Sequence, residues 1–218
     1  MKVGTDAVLI GAWTSIVDSK RILDIGTGTG IIALMLAQRT SVAIDAIDVD
    51  EAACIQAKEN VTASPWPQKI KIHHQSLQNF SRQSTHKYDL IVSNPPYFVA
   101  SSKSPEEART LARHAEMLPY NELLEGVLKL LDSSGKFCVV FPSKEGELFR
   151  DLAQEKKLFL TKLTRVHTRT DKSEKRLLMQ FELKRKTFSE NHITIEQDND
   201  HNYTEEYQQL TKEYYLNF

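Results

Sequence analysis

The chain has 218 residues, of which 40% are apolar and 26% charged, and 28 Lys and Arg against 29 Asp and Glu leave a formal net charge of −1. An apolar share of this size at this length builds a real core, which excludes wholesale disorder. Two Cys exclude a disulfide scaffold, and near-neutrality argues against a protein that holds nucleic acid through bulk charge.

No apolar run approaches the roughly 18 residues of a membrane span, and Met1-Lys2-Val3-Gly4 is neither a signal peptide nor a myristoylation site. Cys54 and Cys138 sit in periodic segments and read as reduced core thiols. These features predict a soluble, cytoplasmic protein with no membrane partner and no metal, and a monomer is the simplest expectation.

A sheet core is expected over residues 19–186. Short β-type runs alternate there with helical patterns, as in a parallel sheet covered by helices on both faces. The strands fall at Arg21–Gly26, Val42–Asp48, Lys69–His74, Tyr88–Ser93 and Lys136–Phe141, then Leu158–Val166 and Arg176–Lys184. Helical spacing covers Ile31–Arg39, Glu51–Val61 and Tyr120–Leu131. Only the polar run His167–Lys175 separates the last two strands, which predicts an antiparallel hairpin closing a seven-stranded, mostly parallel α/β sheet. Gln75–Lys87 and Phe98–Pro105 read as loops. Residues 187–218 read as a polar, acidic tail followed by a helical spacing over Tyr203–Leu216, and the whole forms one domain.

The first strand runs into Asp24-Ile25-Gly26-Thr27-Gly28-Thr29-Gly30 and then a helix. Glycines there allow a sharp turn, let a ligand touch the backbone and aim helix N-terminal amides at it. Ile31 stands where a dinucleotide fingerprint needs its third Gly, which disfavours NAD and FAD, and no P-loop Lys is present. The second strand ends on Asp48, a carboxylate placed to accept hydrogen bonds from two ribose hydroxyls. Asp45 and Asp50 read as loop or capping residues.

These residues resemble the Rossmann-like, S-adenosylmethionine-dependent methyltransferases. The resemblance implies that Asp24, Gly26, Thr27, Gly28 and Gly30 shape the cofactor loop, with Asp24 holding the methionine ammonium directly or through water. After the third strand, Ser76 and Leu77 take the adenine-side positions, where Ser76 replaces the acid common in that family.

The fourth strand leads into Asn94-Pro95-Pro96-Tyr97. Paired prolines lack backbone donors and leave a stiff row of carbonyl acceptors. A planar amino group, as on adenine or a glutamine amide, offers two hydrogens that the Asn94 side-chain oxygen and the Pro95 carbonyl can accept, while the Tyr97 ring stacks on the plane. The four residues therefore read as the catalytic loop of an N-methyltransferase, with Asn94 also beside the cofactor. The motif alone leaves N6-adenine and N5-glutamine methylation both open.

Charge bears on that choice. Residues 156–186 carry 11 basic and 3 acidic side chains, or +8, whereas residues 187–218 carry −6 and residues 1–155 carry −3. A basic hairpin beside a nucleotide-type site is what contact with a phosphate backbone requires, and Lys172, Lys175 and Arg176 are its candidate contacts. The Lys2-Val3-Gly4-Thr5-Asp6 opening, Ala112-Arg113-His114, Tyr203-Thr204-Glu205-Glu206-Tyr207 and Tyr214-Tyr215-Leu216 extend the likeness over nearly the whole chain. With Asn94–Tyr97 they resemble the bacterial tRNA1(Val) adenine-37 N6-methyltransferase family. That resemblance implies tRNA as partner, an opening helix over residues 1–18 beside the cofactor with Lys2, Thr5 and Asp6 on the cofactor side, and Arg113 and His114 near substrate phosphate. It also implies roughly 20 to 30 further residues ahead of this opening.

Overall fold

The computed structural model describes residues 4–96, 120–197 and 202–215. Helix α1 (Thr5–Trp13) precedes β1 (Ile22–Ile25), α2 (Ile31–Arg39), β2 (Ile44–Asp48), α3 (Glu51–Ala63) and β3 (Ile70–His74). Then come α4 (Leu77–Gln83), β4 (Tyr88–Ser93) and a helix over residues 120–130, here α5. The chain continues through β5 (Leu131–Pro142), α6 (Ser143–Glu155), β6 (Phe159–Arg169), β7 (Glu174–Glu182), β8 (Ser189–Glu196) and α7 (Glu205–Thr211).

All of these strands join one sheet in the order β3-β2-β1-β4-β5-β7-β6-β8. The first five pair in parallel, and β7 lies antiparallel between β5 and β6, so the expected hairpin is present. Chain order reverses at β1, with β2 on one side and β4 on the other. Such a reversal opens a crevice at the carboxyl ends of those two strands, where open α/β sheets take their ligands. Ser93 seals the inner wall, its hydroxyl donating to the Ile25 carbonyl at 2.9 Å.

The sheet has eight strands, not the seven expected, because Ser189–Glu196 pairs in parallel with β6 from Lys162↔Ser189 to Arg169↔Glu196. The stretch reads as tail in sequence because only Ile193 and Ile195 mark a period of two. It covers a β6 edge that would otherwise present unpaired backbone groups. The expected loop Gln75–Lys87 contains α4, whose only buried residue is Phe80, too little for a helical stripe. Ser143–Glu155 is a further helix absent from the sequence reading, burying Gly146, Phe149, Leu152 and Ala153.

Helices cover both faces. On one, α4, α5 and α6 enclose Phe80, Tyr88, Phe137, Phe141, Phe149 and Phe181, with the Phe149 ring 4.7 Å from Phe141 and 5.8 Å from Phe181. On the other, α1, α2 and α7 bury Leu9, Ile10, Trp13, Leu36 and Tyr207. Gly11 lets α1 and α2 approach closely, since a Cβ there would lie 2.7 Å from the Met35 sulfur. Both cysteines are buried and unbridged. Among the described residues no helix is long and apolar enough to cross a membrane, and no cluster of three or more His, Cys, Asp or Glu is placed to hold a metal.

Candidate active site

The loop after β1 turns on three glycines with positive φ: Gly26 (+70°), Gly28 (+55°) and Gly30 (+82°). Side chains other than Gly are strained in this region. At Gly26 a Cβ would meet nothing within 4 Å, so the bare backbone faces open space, and at Gly30 it would press on Ala57 at 3.4 Å. The loop is tied to β2 by the Gly26 and Thr27 amides, which donate to the Ile47 carbonyl at 2.9 and 3.0 Å.

Asp24 lies beneath the loop, fully buried. Its Oδ2 accepts from the Thr27 hydroxyl at 2.6 Å, while Oδ1 has no hydrogen bond of ordinary geometry among the described residues. Burial pushes this carboxyl up to about 7, against the Thr27 hydrogen bond and the pull of the Ala33 amide, and Asp48 adds repulsion. Asp48 accepts from the Gly28 amide at 2.8 Å through Oδ2 and from the Asp50 amide at 3.0 Å through Oδ1. Two carboxylate oxygens offer about four acceptor sites, so capacity for two hydroxyl donors is left.

Gly26, Gly28 and Asp48 line a cavity of about 470 Å³ whose far wall is Asn94, Pro95 and Pro96, with Leu77 and Leu123 at the sides. Residues from β1, β2, β4, α4 and α5 thus meet over one volume that their sequence spacing does not foretell. An open glycine backbone, an acid facing the loop amides and a buried carboxylate oxygen without a full partner set suit S-adenosylmethionine, which presents an ammonium, a ribose diol and a flat base.

Other expected residues take different positions. Ser76 is the N-cap of α4, its Oγ accepting from the Asn79 amide at 3.2 Å, and it is Leu77 that reaches the cavity wall. Gln78 and Glu122, which the sequence reading did not single out, also line the cavity and are joined by a hydrogen bond at 2.5 Å between α4 and α5. Thr5 lines a separate cavity with Trp66 and Tyr214. Asp50 caps α3 through the Ala52 and Ala53 amides. Asp45 is not a loop residue: it lies in β2 and accepts from Tyr88 Oη at 2.9 Å, with His73 Nε2 at 2.6 Å from its other oxygen. Burial opposes ionisation of Asp45, but the His73 and Tyr88 hydrogen bonds outweigh it and hold the carboxyl below its ordinary value.

Arg176, at the start of β7, is bound to Asp6 of α1. Lys172 and Lys175 lie at the tip of the β6–β7 hairpin. The register runs Ser93↔Val139↔Met179, so Glu174 stands five residues past the row of Ser93. At about 3.4 Å per residue the hairpin rises roughly 17 Å beyond it, at the end of the sheet that carries Asn94. Lys2, Tyr97, Arg113, His114 and the Phe98–Pro105 loop lie outside the described residues.

A parallel β3-β2-β1-β4-β5 sheet extended by an antiparallel pair, with a glycine loop and an Asn-Pro-Pro turn over one crevice, is the architecture of a Rossmann-like methyltransferase. Residues 3–147 match the methyltransferase small domain family. A tRNA1(Val) (adenine(37)-N6)-methyltransferase from Bacteroides fragilis is 45% identical over 99% of this chain and 91% of its own length. One of the same name from Trichodesmium erythraeum is 42% identical over 100% and 92%. The chain belongs to the tRNA1(Val) (adenine(37)-N6)-methyltransferase family. In fold it is similar to a predicted O-methyltransferase from Agrobacterium tumefaciens, with a TM-score of 0.75 at 13% identity over 95% of this chain and 96% of that one.

Proposed function

We propose that this protein transfers a methyl group from S-adenosylmethionine to N6 of adenine 37 in the anticodon loop of tRNA1(Val). The observation that carries the reading is the shared cavity: Asn94 and the proline pair close the same volume that the glycine loop and Asp48 open.

Gly26 and Gly28 would receive the cofactor against bare backbone, Asp48 its ribose hydroxyls, Leu77 its base and Asp24 its ammonium. The cofactor supplies an electrophilic methyl on a sulfonium. On the substrate side, the Asn94 side-chain oxygen and the Pro95 carbonyl accept the two hydrogens of the adenine amino group. This fixes the position of the nitrogen and shifts electron density onto it as it attacks. Pro95 and Pro96 keep the acceptors in place without backbone donors that would compete, and the Tyr97 ring stacks on the base. No ionisable base is needed, because the proton leaves after the nitrogen has become cationic. Most of the acceleration then comes from positioning for in-line attack.

An anticodon loop offers an unpaired adenine that can be splayed out, and single-stranded loops are where proteins read RNA bases. Lys172 and Lys175 at the raised hairpin tip contact the phosphates on either side. The chain acts as a monomer in the cytoplasm. Glutamine methylation fits the loop equally well but matches neither the basic hairpin nor the full-length relatives.

Incubating unmodified tRNA with enzyme and cofactor, then mapping N6-methyladenosine, tests the reading. Methyl at adenine 37 supports it. Cofactor binding without methylated tRNA, together with methyl transfer to a Gln-bearing peptide, overturns it.

A further inference from the structure

The basic segment does not form one surface. Arg165, Arg169, Lys172, Lys175 and Arg176 lie toward the hairpin tip, whereas Lys156, Lys157, Lys184, Arg185 and Lys186 lie at the opposite end of β6 and β7. β7 and β8 flank β6 on its two sides, so residues 183–188 must arch over the start of β6. The arch brings Lys184, Arg185 and Lys186 to the turn that holds Lys156 and Lys157, nearly 30 positions earlier in the chain.

We propose that this arch is a second RNA site, which takes the phosphate backbone and an unpaired base of the tRNA body away from the anticodon loop. The inference rests on the tRNA reading above. Four observations carry it. The run from Leu183 to Ser189 contains no acid. The adjoining Glu182 is buried, hydrogen-bonded by Thr161 and Gln180 and paired with Lys186, so it adds little negative field outside. Arg185 lies over the Phe159 ring at 4.5 Å, and Phe188, a large apolar ring, is 48% exposed beside it. Together with Arg150 and Leu160 they line a groove of about 390 Å³.

The acids nearby are largely engaged: Asp151 and Glu147 with Arg150, Glu125 with Lys156, and Glu190 with Arg165. Glu155 remains in the preceding turn. Lys157, Lys184 and Arg185 form no ion pair among the described residues. Cations beside open aromatic faces are what a sequence-tolerant RNA platform combines, the charge following the backbone and the ring stacking a base. Glu182, where β7 ends, stands three residues from Met179 in the row of Ser93, roughly 10 Å along the strand at about 3.4 Å per residue, and the arch lies beyond it at the end of the sheet away from Asn94. A single RNA the size of a tRNA spans both ends.

The test is binding of full-length tRNA by fluorescence anisotropy between about 50 and 200 mM salt, a range over which a protein with many phosphate contacts loses roughly 10³ or more in affinity. Lys184→Glu/Arg185→Glu is expected to weaken binding about tenfold or more at low salt and to lower the slope of log K against log salt by about two. Its KM for tRNA rises, while kcat at saturating tRNA and cofactor binding hold. Phe188→Ala is expected to weaken binding about fivefold or more without changing the slope. The neutral Lys184→Gln/Arg185→Gln, checked by thermal unfolding, gives the same direction with a smaller effect. An unchanged affinity and slope in both double variants, while wild type methylates tRNA, overturns the inference alone. So does an equal loss from Lys58→Glu on α3, which would make the effect one of net charge. A wild-type chain that neither binds nor methylates tRNA removes the tRNA reading and this inference with it.

Discussion

Arg176 Nε donates to both carboxylate oxygens of Asp6, at 2.9 and 2.8 Å, across 170 positions of the chain. The pair pins the first turn of α1 to the start of β7, beside the catalytic end of the sheet. Both side chains are partly exposed, so the coupling between Asp6→Asn and Arg176→Gln in a double-mutant cycle is expected to be about 1 kcal/mol. Urea unfolding of the four proteins measures it, and strict additivity would show that the contact contributes nothing.

Asn94→Ala removes one of the two acceptors for the amino group. Methyl transfer at saturating substrate should fall by roughly 10² to 10³, the effect of losing one positioned polar group in a transition state. RNA binding should stay within about threefold. Single-turnover rates and anisotropy separate the two, and an unchanged rate constant would refute the role.

Asp24 gives a pH signature. Its folded-state value of about 7 lies above the ordinary carboxylate value near 4. Between these limits the folded chain holds a proton that the unfolded chain has lost, so stability from this group falls as pH rises, by about 1.4 kcal/mol per unit. Denaturation of wild type and Asp24→Asn from pH 4.5 to 7.5 should show the difference between them changing with pH in that sense. A cation bound beside Asp24 favours the carboxylate, so cofactor binding near pH 6.5 should release a proton in wild type and none in Asp24→Asn. Calorimetry in two buffers of different ionisation enthalpy reads that release.

Tyr88→Phe removes the hydrogen bond that Asp45 accepts at 2.9 Å between β4 and β2. The expected loss is about 1–2 kcal/mol at neutral pH. Asp45 is held below its ordinary value, so its contribution is present above the unfolded value and is lost as pH falls through the folded one. The gap between Tyr88→Phe and wild type should therefore narrow in acid, as chemical denaturation at pH 7 and pH 3.5 would show.

Lys172→Glu/Lys175→Glu at the hairpin tip should weaken tRNA binding and lower its salt slope by about two, while Glu205→Lys/Glu206→Lys in α7 should leave the slope nearly unchanged. Equal effects from the two pairs would mean that only net charge is being read.

Local chemistry made much of this protein legible in one dimension. Glycine at three positive-φ positions, an acid at the end of β2 and an Asn-Pro-Pro turn after β4 each follow from short-range backbone constraints, so the chain by itself determined the fold class, the cofactor loop and the amino-group acceptors. β8 and α4 were not legible, because a polar edge strand and a helix with one buried residue leave almost no periodic trace. Tertiary packing alone decided how charge is used. Counting along the chain gives one basic segment of +8, but β7 and β6 run in opposite directions, and this brings its two ends together at one pole of the sheet and puts its middle, the hairpin tip, at the other. Packing also turned Arg176 toward Asp6, a partner 170 positions away that is set by which strand and helix meet and not by the residues on either side.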